Sequence, residues 1–395
     1  MKNENLSKIE EILTRGVEEV IDKDNLRKKL LSGKKLRIKL GIDPTSPNLH
    51  IGRSVTLLKL RDFQELGHKI VFIIGDFTGV VGDTSDKDSE RPMLDKKTVQ
   101  NNLKTYTQQV GKIIDLKKSE VKRNSQWLSK LGFEDITKQA NMFSLTEFIS
   151  RENIKKRLDQ QKSISLREVL YPLMQGYDSV AVKADVEVGG TDQKFNLLAG
   201  REIQRNYGQK PQDIIMLGLI EGLDGRKMSS SWGNTINLND EPKDMFGKVM
   251  KLEDNLLIKY FTNCTRVPME EVDKYNTQIK NGANPRDIKM VLAYEITRMY
   301  WGEKEADKAK DFFVSAFQKK ETPTDIETIK GKKDQTYFDI IFSTKEFKSR
   351  GELLRLFQQG GIKTFPEHVV IRQSDKAKEG IIKVGKKNFF KVILR

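Results

Sequence analysis

The sequence predicts an α/β protein in which a parallel sheet precedes an all-α region and a small basic α+β tail. Three observations favour this class. A strand–helix–strand unit lies near the start, a long stretch has only helical periodicity, and a polar segment separates that stretch from a tail of mixed pattern. The first observation decides the class, because two strands joined by a helix pair in parallel.

The strand–helix–strand unit consists of three segments. Arg37–Ile42 predicts a short strand ending at a proline-rich turn, and Gly52–Leu66 predicts the following helix, which Gly67 closes. Ile70–Ile74 is a continuous apolar run typical of a buried parallel strand. Further helices are predicted over 6–31, 95–114, 166–184 and 191–207, and further strands at 121–123, 186–188 and 214–217.

The second half of the sequence is helical until about residue 317, with its strongest periodicity over Pro285–Tyr300. Residues from about 319 to 333 are polar and carry linker signals, and a helix around Glu352–Gln359 and short strands follow. We therefore predict an α/β domain over 1–225, a loop and α-helical domain over 226–320, a linker over 321–340 and an α+β domain over 341–395.

Composition excludes several classes of protein. With 395 residues, 37% of them hydrophobic, the chain can form a core, so general disorder is excluded. No apolar run approaches the roughly 20 residues of a membrane span, and the start lacks the pattern of a secretory signal. One cysteine, Cys264, and three histidines exclude a cysteine metal cluster and a histidine-rich zinc site. We expect a reduced, cytosolic protein.

The net charge of +15 indicates an anionic partner, most simply nucleic acid or nucleotide. From Arg350 onward, eleven Lys and Arg residues stand against four Asp and Glu residues, so the tail is strongly basic. A lysine-rich chain can also simply be well solvated, and charge alone does not separate the two interpretations.

Two motifs carry chemistry. The first, GIDPTSPNLHIGR over 41–53, places His50 and Gly52 where a helix begins, and helix N-termini attract anions. The second, GRKMSSS over 225–231, combines glycine, hydroxyl groups and Lys227 in a loop suited to phosphate. Taken alone, His50 is more often a helix cap or packing residue, and a serine cluster beside glycine is usually an ordinary loop.

Together, in this order and about 175 residues apart, the two motifs resemble the HIGH and KMSKS signatures of class I aminoacyl-tRNA synthetases. Three segments between them are similar to tyrosyl-tRNA synthetases: GDTSDK over 82–87, YPLMQGYD over 171–178 and VGGTDQKFN over 188–196. The tail, with RGELLR at 350–355 and VGKKNFF at 384–390, resembles an S4-type RNA-binding domain. GDFTG at 75–79 is similar to the bacterial branch. The resemblance covers nearly the whole chain and implies a Rossmann-like catalytic domain.

The resemblance implies a tyrosine site. Tyr171, Gln175 and Asp178 stand four and seven positions apart, so they share one face of a helix. By resemblance, Asp178 would meet the phenol oxygen, Tyr171, Gln175 and Asp83 would hold the ammonium group, and Gln193 would orient the substrate. The alternative is a helix face that packs Tyr171 in the core and leaves Asp178 in solvent.

The resemblance also implies an ATP site that has no enzyme nucleophile, where catalysis is positioning and stabilisation of phosphate charge. The phosphates would be held by Thr45, His50, Arg53, Lys227 and Ser230, with Lys87 and Arg91 on the departing pyrophosphate. The nucleotide would be bound by Asp43, Gly52, Thr56, Gly190, Asp192, Lys227 and Met228. Magnesium would accompany ATP as part of the substrate, with no metal site formed by the protein.

The implied partners are tRNA(Tyr), L-tyrosine and ATP, with a second copy of the chain in a homodimer and no membrane. Basic residues of the tail suit RNA phosphates: Arg350, Arg355, Lys386, Lys387 and Lys391. Phe389 and Phe390, beside them, are better explained as core residues than as stacking platforms.

The sequence departs from the family pattern at three positions. Arg53 replaces the second histidine of the first signature, Ser230 replaces the inner lysine of the second, and Lys39 stands where the better-known branch has a tyrosine. Two alternatives therefore remain beside a tyrosine–tRNA ligase. A tryptophanyl relative is disfavoured by the 171–178 segment and the tail. An RNA-binding paralogue without activity is disfavoured because five residues of the implied site are intact: Asp83, Lys87, Arg91, Asp192 and Gln193.

Overall fold

The computed structural model describes residues 2–84, 93–317, 326–344, 346–347, 349–365, 369–385 and 388–395. The chain forms two compact units, Met1–Lys310 and Asp311–Arg395. Within the described ranges, no helix is both long and apolar enough to cross a membrane.

A six-stranded sheet forms the centre of the first unit. Its strands are β1 (Val17–Ile21), β2 (Arg37–Ile42), β3 (Lys69–Ile74), β4 (Glu120–Arg123), β5 (Val186–Gly190) and β6 (Asp213–Leu217). They lie in the order β1-β6-β5-β2-β3-β4, and only β1 runs antiparallel to its neighbour. Strands β3 and β6 are buried along nearly their whole length, as is typical of continuous apolar strands in a parallel sheet.

Helices cover this sheet and continue beyond it. They are α1 (Lys2–Thr14), α2 (Lys23–Leu31), α3 (Ile51–Glu65), α4 (Thr78–Val81), α5 (Lys96–Val110), α6 (Ser125–Leu128), α7 (Phe133–Ala140), α8 (Leu145–Ile149), α9 (Glu152–Asp159), α10 (Leu166–Val182), α11 (Lys194–Asn206), α12 (Pro242–Val249), α13 (Leu257–Cys264), α14 (Met269–Lys280), α15 (Pro285–Trp301) and α16 (Glu303–Phe317). After β6 every regular element through α16 is helical, as the periodicity indicates.

The strand order creates the place for a site. From β2 the chain continues to β3 on one side, whereas β5 joins β2 on its other side. Ligands of open α/β sheets bind beyond the carboxyl ends of the strands at such a reversal. The loops after β2, β3 and β5 therefore meet around one crevice.

The second unit has its own sheet and core. Strands β7 (Glu327–Gly331), β8 (Ile362–Phe365), β9 (Gly380–Val384) and β10 (Asn388–Leu394) lie in the order β7-β10-β9-β8, with helices α17 (Tyr337–Phe342) and α18 (Arg350–Gln358). Ile340, Leu353 and Phe390 are among its buried residues. The segment 321–340, which we predicted to be a linker, contains β7 and the start of α17, because Ile329 and Ile340 supply apolar side chains to this core.

The prediction of one helix over 6–31 is wrong, because α1 ends before a glycine and an edge strand follows. Gly16 has a φ of +64°, which a helix does not allow, and the chain then pairs with β6 as β1. The short helices α7–α9 were also missed, since each is too brief for periodicity to stand out.

Replacing Gly16 with alanine tests this turn. A side chain at φ +64° costs about 1–2 kcal/mol, and the new Cβ would lie 2.3 Å from the Asn263 Oδ1 atom. We expect Gly16→Ala to lower the free energy of unfolding by about 2–4 kcal/mol in urea denaturation. Gly33→Ala is the matched control, because Gly33 has a φ of +70° and open space around it, so only the conformational cost remains. Equal losses for the two variants would contradict this account.

Candidate active site

A cavity of about 410 Å³ opens at the carboxyl ends of the central strands. The structure brings sixteen of the predicted site residues together in its wall: Asp43, Thr45, His50, Gly52, Arg53, Thr56, Asp83, Tyr171, Gln175, Asp178, Gly190, Asp192, Gln193, Lys227, Met228 and Ser230. Lys87 and Arg91 lie outside the described residues. Residues up to 187 positions apart in the sequence, from Asp43 to Ser230, thus reach one cavity.

Asp178 is a buried carboxylate on the cavity face of α10. Trp127 donates from its indole Nε1 to Oδ1 at 2.7 Å, and Asn124 donates to Oδ2 at 3.3 Å. Burial raises the pKa of Asp178 to about 7, while the Lys39 charge and these two hydrogen bonds act in the opposite direction. Asp178 is therefore an acceptor whose charge depends on its neighbours.

Asp43, directly after β2, is the second buried carboxylate of the cavity. Thr78 donates to its Oδ1 at 2.7 Å, and the Tyr171 hydroxyl donates to its Oδ2 at 2.9 Å. Burial raises the pKa of Asp43 to about 6, against the effect of these hydrogen bonds. Gly75 makes room for this arrangement, because a Cβ there would lie 2.0 Å from Asp43 Oδ1. Because the Tyr171 hydroxyl donates its proton to Asp43, the Tyr171 oxygen can accept a hydrogen bond from another group.

Asp83 and Gln193 form a polar edge on the same side of the cavity as Tyr171. The Gln193 amide donates from Nε2 to Asp83 Oδ2 at 2.7 Å, and Asn196 donates to Gln193 Oε1 at 2.9 Å. Thr84, the residue after Asp83, is anchored to α10, because its hydroxyl donates to Glu168 Oε2 at 2.6 Å.

The glutamate that accepts from Thr84 belongs to a buried ion pair. Arg157 and Glu168 have fully buried side chains and are 2.6 Å apart. The hydrogen bonds from Arg157, Thr84 and the Ser165 backbone lower the pKa of Glu168 despite its burial. Thr84, which follows Asp83, is therefore fixed to the start of α10.

The turn between β2 and α3 presents the first signature. His50 is the residue before α3 and pairs with Asn237 in an isolated β-bridge, which fixes the start of the helix. Arg53 donates to the Asp43 carbonyl at 3.2 Å and to Thr45 Oγ1 at 3.4 Å. A Cβ at Gly52 would lie 3.0 Å from His50 Nδ1, and the Gly52 N–H donates to Met228 Sδ at 3.4 Å.

The second signature lies opposite, on the loop after β6. Lys227 forms an ion pair with Asp192 at 2.8 Å, so the two residues predicted for phosphate and for ribose face each other. Asn234 holds the loop from within: it accepts from the Ser229 N–H at 2.9 Å and donates to the Lys227 carbonyl at 3.1 Å. Ser230 Oγ lies 3.4 Å from Ser46 Oγ of the first turn, which joins the two signatures.

Sequence reasoning missed Asn124, Trp127 and Thr78, which hold the two buried carboxylates. Asn124 and Trp127 follow β4, the strand at the edge of the sheet, and Asn124 also donates to Thr78 Oγ1 at 2.8 Å. Asn124 had one sequence signal, that of a polar residue directly after a predicted strand, and Thr78 lay in the GDFTG segment without being assigned a role. No cluster of three or more His, Cys, Asp or Glu side chains suited to a metal ion occurs in the part of the chain that the structure describes.

The predicted RNA-binding residues belong to the second unit. Arg350, Arg355 and Lys391 are exposed there, while Lys386 and Lys387 lie outside the described residues. Phe390 is buried and Phe389 packs edge-on against Phe365 at 5.2 Å between ring centres, so both belong to packing.

Comparison with known proteins identifies the family of the chain. The sequence model of the family described as "tRNA synthetases class I (W and Y)" matches residues 31–318. The chain is 43% identical to the "Tyrosine--tRNA ligase" of Thermotoga maritima, over 96% of each sequence. It is also 43% identical to "Tyrosine--tRNA ligase 2" of Clostridium acetobutylicum, over 97% of this chain and 98% of that protein.

The chain belongs to the class I tyrosyl-tRNA synthetases. Solved structures share its fold: the synthetase of Archaeoglobus fulgidus, crystallised with L-tyrosine, superposes with a TM-score of 0.62 at 22% identity, over 78% of this chain and 99% of that one. A truncated mitochondrial enzyme of Aspergillus nidulans gives 0.65 at 20% identity, over 78% and 94%. The family to which the chain belongs uses ATP as a substrate.

Proposed function

We propose that the chain is a tyrosine–tRNA ligase, with the cavity of the first unit as its active site. The tyrosine carboxylate oxygen attacks the α-phosphorus of ATP, the bond to pyrophosphate breaks, and tyrosyl-adenylate forms. A ribose hydroxyl at the 3′ end of tRNA(Tyr) then attacks the tyrosyl carbonyl carbon, and AMP leaves. The observation that carries the proposal is the buried Asp178 carboxylate, presented to the cavity by Trp127 and Asn124 in a full-length relative of tyrosine ligases.

Recognition of the phenol follows from Asp178. A tyrosine hydroxyl adds a donor to this buried carboxylate, whereas phenylalanine would displace solvent from it without supplying a hydrogen bond in exchange. Discrimination therefore comes from the pocket itself. Tryptophan has a larger ring and would have to place its N–H at the same carboxylate. The relatives named above are tyrosine ligases, which also favours tyrosine over tryptophan as the substrate.

The ammonium group of tyrosine needs several acceptors, and the opposite edge of the pocket supplies them. The Tyr171 oxygen is an acceptor because its proton is donated to Asp43. Asp83 supplies a carboxylate that Gln193 orients, and Gln175 supplies an amide oxygen. Together these residues fix the substrate carboxylate between the phenol site and the signatures.

The nucleotide is assigned to the two signatures and the loop after β5. The start of α3, with Gly52, offers backbone N–H groups to phosphate, and Thr45, His50, Arg53, Lys227 and Ser230 are assigned to phosphate charge. Asp192, Gly190, Thr56, Asp43 and Met228 are assigned to the rest of the nucleotide, and Lys87 and Arg91 to pyrophosphate. Magnesium enters with ATP as part of the substrate.

Cys264, the one cysteine, is buried, and burial raises the pKa of its thiol. This is in keeping with a reaction that uses no enzyme nucleophile.

The test is exchange of labelled pyrophosphate into ATP by the full-length enzyme. We expect exchange that depends on tyrosine, with phenylalanine and tryptophan as controls that give none, because only tyrosine pairs Asp178 in this pocket. A folded enzyme that binds tRNA but gives no exchange with tyrosine would contradict the proposal and favour an RNA-binding paralogue. Exchange with tryptophan instead would favour the tryptophanyl alternative.

Replacing Arg53 with histidine tests whether its departure from the signature is an adaptation. The Arg53 guanidinium holds both the Asp43 carbonyl and the Thr45 hydroxyl, and histidine is too short and too differently shaped to keep both contacts. We expect Arg53→His to lower the rate constant of exchange by about tenfold or more, the loss of one to two hydrogen bonds. A large gain in rate would show a decayed site instead.

The second unit is assigned to tRNA binding. Reversing the charges of Arg350, Arg355 and Lys391 together should raise the KM for tRNA about tenfold or more at 0.15 M salt and flatten its salt dependence, because these side chains are exposed cations suited to phosphates. Tyrosine-dependent exchange is the internal control and should not change. An unchanged KM for tRNA would remove these three residues from the RNA-binding surface.

We further propose a homodimer in the cytosol, the compartment of translation. Five large apolar side chains are exposed over α7–α10: Phe133, Leu145, Ile149, Leu158 and Leu166. Apolar side chains concentrated in one exposed segment are typical of a surface that another chain covers. Sedimentation of the full chain at twice its mass of 45.4 kDa checks the proposal, and a monomer would contradict it.

A further inference from the structure

A fully buried ion pair lies under the tyrosine pocket and has no part in the assignments above. Lys39 of β2 and Glu187 of β5 are direct partners in the parallel register, and their charged groups are 2.8 Å apart. Their side chains are 0% and 2% exposed. A buried pair of charges costs desolvation energy that packing residues would avoid, so its presence in the sheet calls for a role.

The pair holds Gln175 at two points. The Lys39 ammonium donates to the Gln175 backbone carbonyl at 2.9 Å, and the Gln175 side-chain Nε2 donates to Glu187 Oε1 at 3.3 Å. Because the amide N–H group is turned toward Glu187, the amide oxygen is turned away from it. That oxygen is the atom assigned to the substrate ammonium group.

The remaining bonds of the pair fix its own geometry. Lys39 also donates to Ser179 Oγ at 2.7 Å, and Ser179 donates to Glu187 Oε2 at 3.1 Å. Gln212 donates to the same Glu187 oxygen. All three Lys39 N–H donors and both Glu187 oxygens therefore have partners, so the two charges are held in one position.

The same pair acts on Asp178, one helical turn beyond Gln175. Lys39 lowers the pKa of Asp178 and Glu187 raises it, in addition to burial and to the hydrogen bonds from Trp127 and Asn124. Tyr171, on the same helix, has its own pKa raised by burial and by carboxylates that include Asp178. Lys39 is the one cation among these groups that faces Asp178.

We propose that Lys39 and Glu187 are positioning residues for tyrosine, which set the orientation of the Gln175 amide and act on the Asp178 carboxylate at the two ends of the substrate. The inference rests on the proposed function and deepens it. Glu187 also lines the cavity and Lys39 does not; the pair acts through Gln175 and Asp178, two residues assigned to the substrate.

The experiment measures the KM for tyrosine, the KM for ATP and the pH profile of kcat/KM for tyrosine in pyrophosphate exchange. Lys39→Met keeps the length of the side chain and removes its charge. At pH 7 we expect the KM for tyrosine to rise about tenfold, the effect of losing one oriented hydrogen bond, while the KM for ATP stays within about twofold. The acid limb of the profile should move to higher pH, because without Lys39 the pKa of Asp178 rises.

Glu187→Gln provides the opposite charge change. Without this carboxylate the pKa of Asp178 falls, so the acid limb should move to lower pH. Lys29→Met is the matched control: Lys29 forms an ion pair of 2.8 Å with the buried Asp213 on β6 and does not line the cavity. We expect this control to lose stability without a change in the KM for tyrosine or in the pH profile.

The double variant Lys39→Met/Glu187→Gln covers the case in which a single variant does not fold, because it leaves no buried charge uncompensated. It should fold and still have a raised KM for tyrosine. A folded Lys39→Met or double variant with an unchanged KM for tyrosine and an unchanged pH profile would show that the pair is only structural. A parallel rise of both KM values would overturn the inference in the same way.

The wild-type enzyme, measured beside the variants, separates two kinds of failure. No tyrosine-dependent exchange in the wild type overturns the proposed function and this inference with it. Exchange in the wild type together with an unaltered Lys39→Met variant overturns the inference alone.

Discussion

Two carboxylates, Asp178 and Asp43, are buried where the strands of a parallel sheet end, and much of the surrounding structure serves to keep them there. Burial raises the pKa of Asp178 to about 7 and that of Asp43 to about 6. A buried carboxylate needs hydrogen-bond donors or a nearby cation to stay charged near neutral pH. Asp178 accepts hydrogen bonds from Trp127 and Asn124 and is stabilised by the charge of Lys39. Asp43 accepts from two hydroxyl groups.

The sheet topology brings the hydrogen-bond donors and the Lys39 cation close to the buried carboxylates. Lys39 comes from β2 and its counter-ion Glu187 from β5, while Asn124 and Trp127 follow β4 at the sheet edge. Because the reversal of strand order brings these strand ends to one crevice, residues distant in sequence can act on one carboxylate. The two signatures meet at the same crevice, so the proposed sites for the amino acid and for the phosphates lie at the ends of the same strands.

The chain's own sequence predicts the central strands and the resemblance predicts the cavity residues, whereas the supporting contacts need the structure. Arg37–Ile42 and Ile70–Ile74 are recognised because a buried parallel strand is a continuous apolar run. Gly16 was not recognised as the end of α1, since one glycine inside an amphipathic pattern is a weak local signal. The partner of Lys39 was equally out of reach, because a pairing across β2 and β5 depends on register, which no local pattern records.

We propose that an ionised Asp178 selects the phenol of tyrosine. Equilibrium titration of the enzyme with tyrosine and with phenylalanine, repeated from pH 6 to pH 8.5, tests it directly. We expect the ratio of the two dissociation constants to favour tyrosine increasingly as pH rises through about 7, where Asp178 loses its proton, and we expect Asp178→Asn to abolish this trend. A preference for tyrosine that is independent of pH in the wild type and unchanged in Asp178→Asn would contradict the claim.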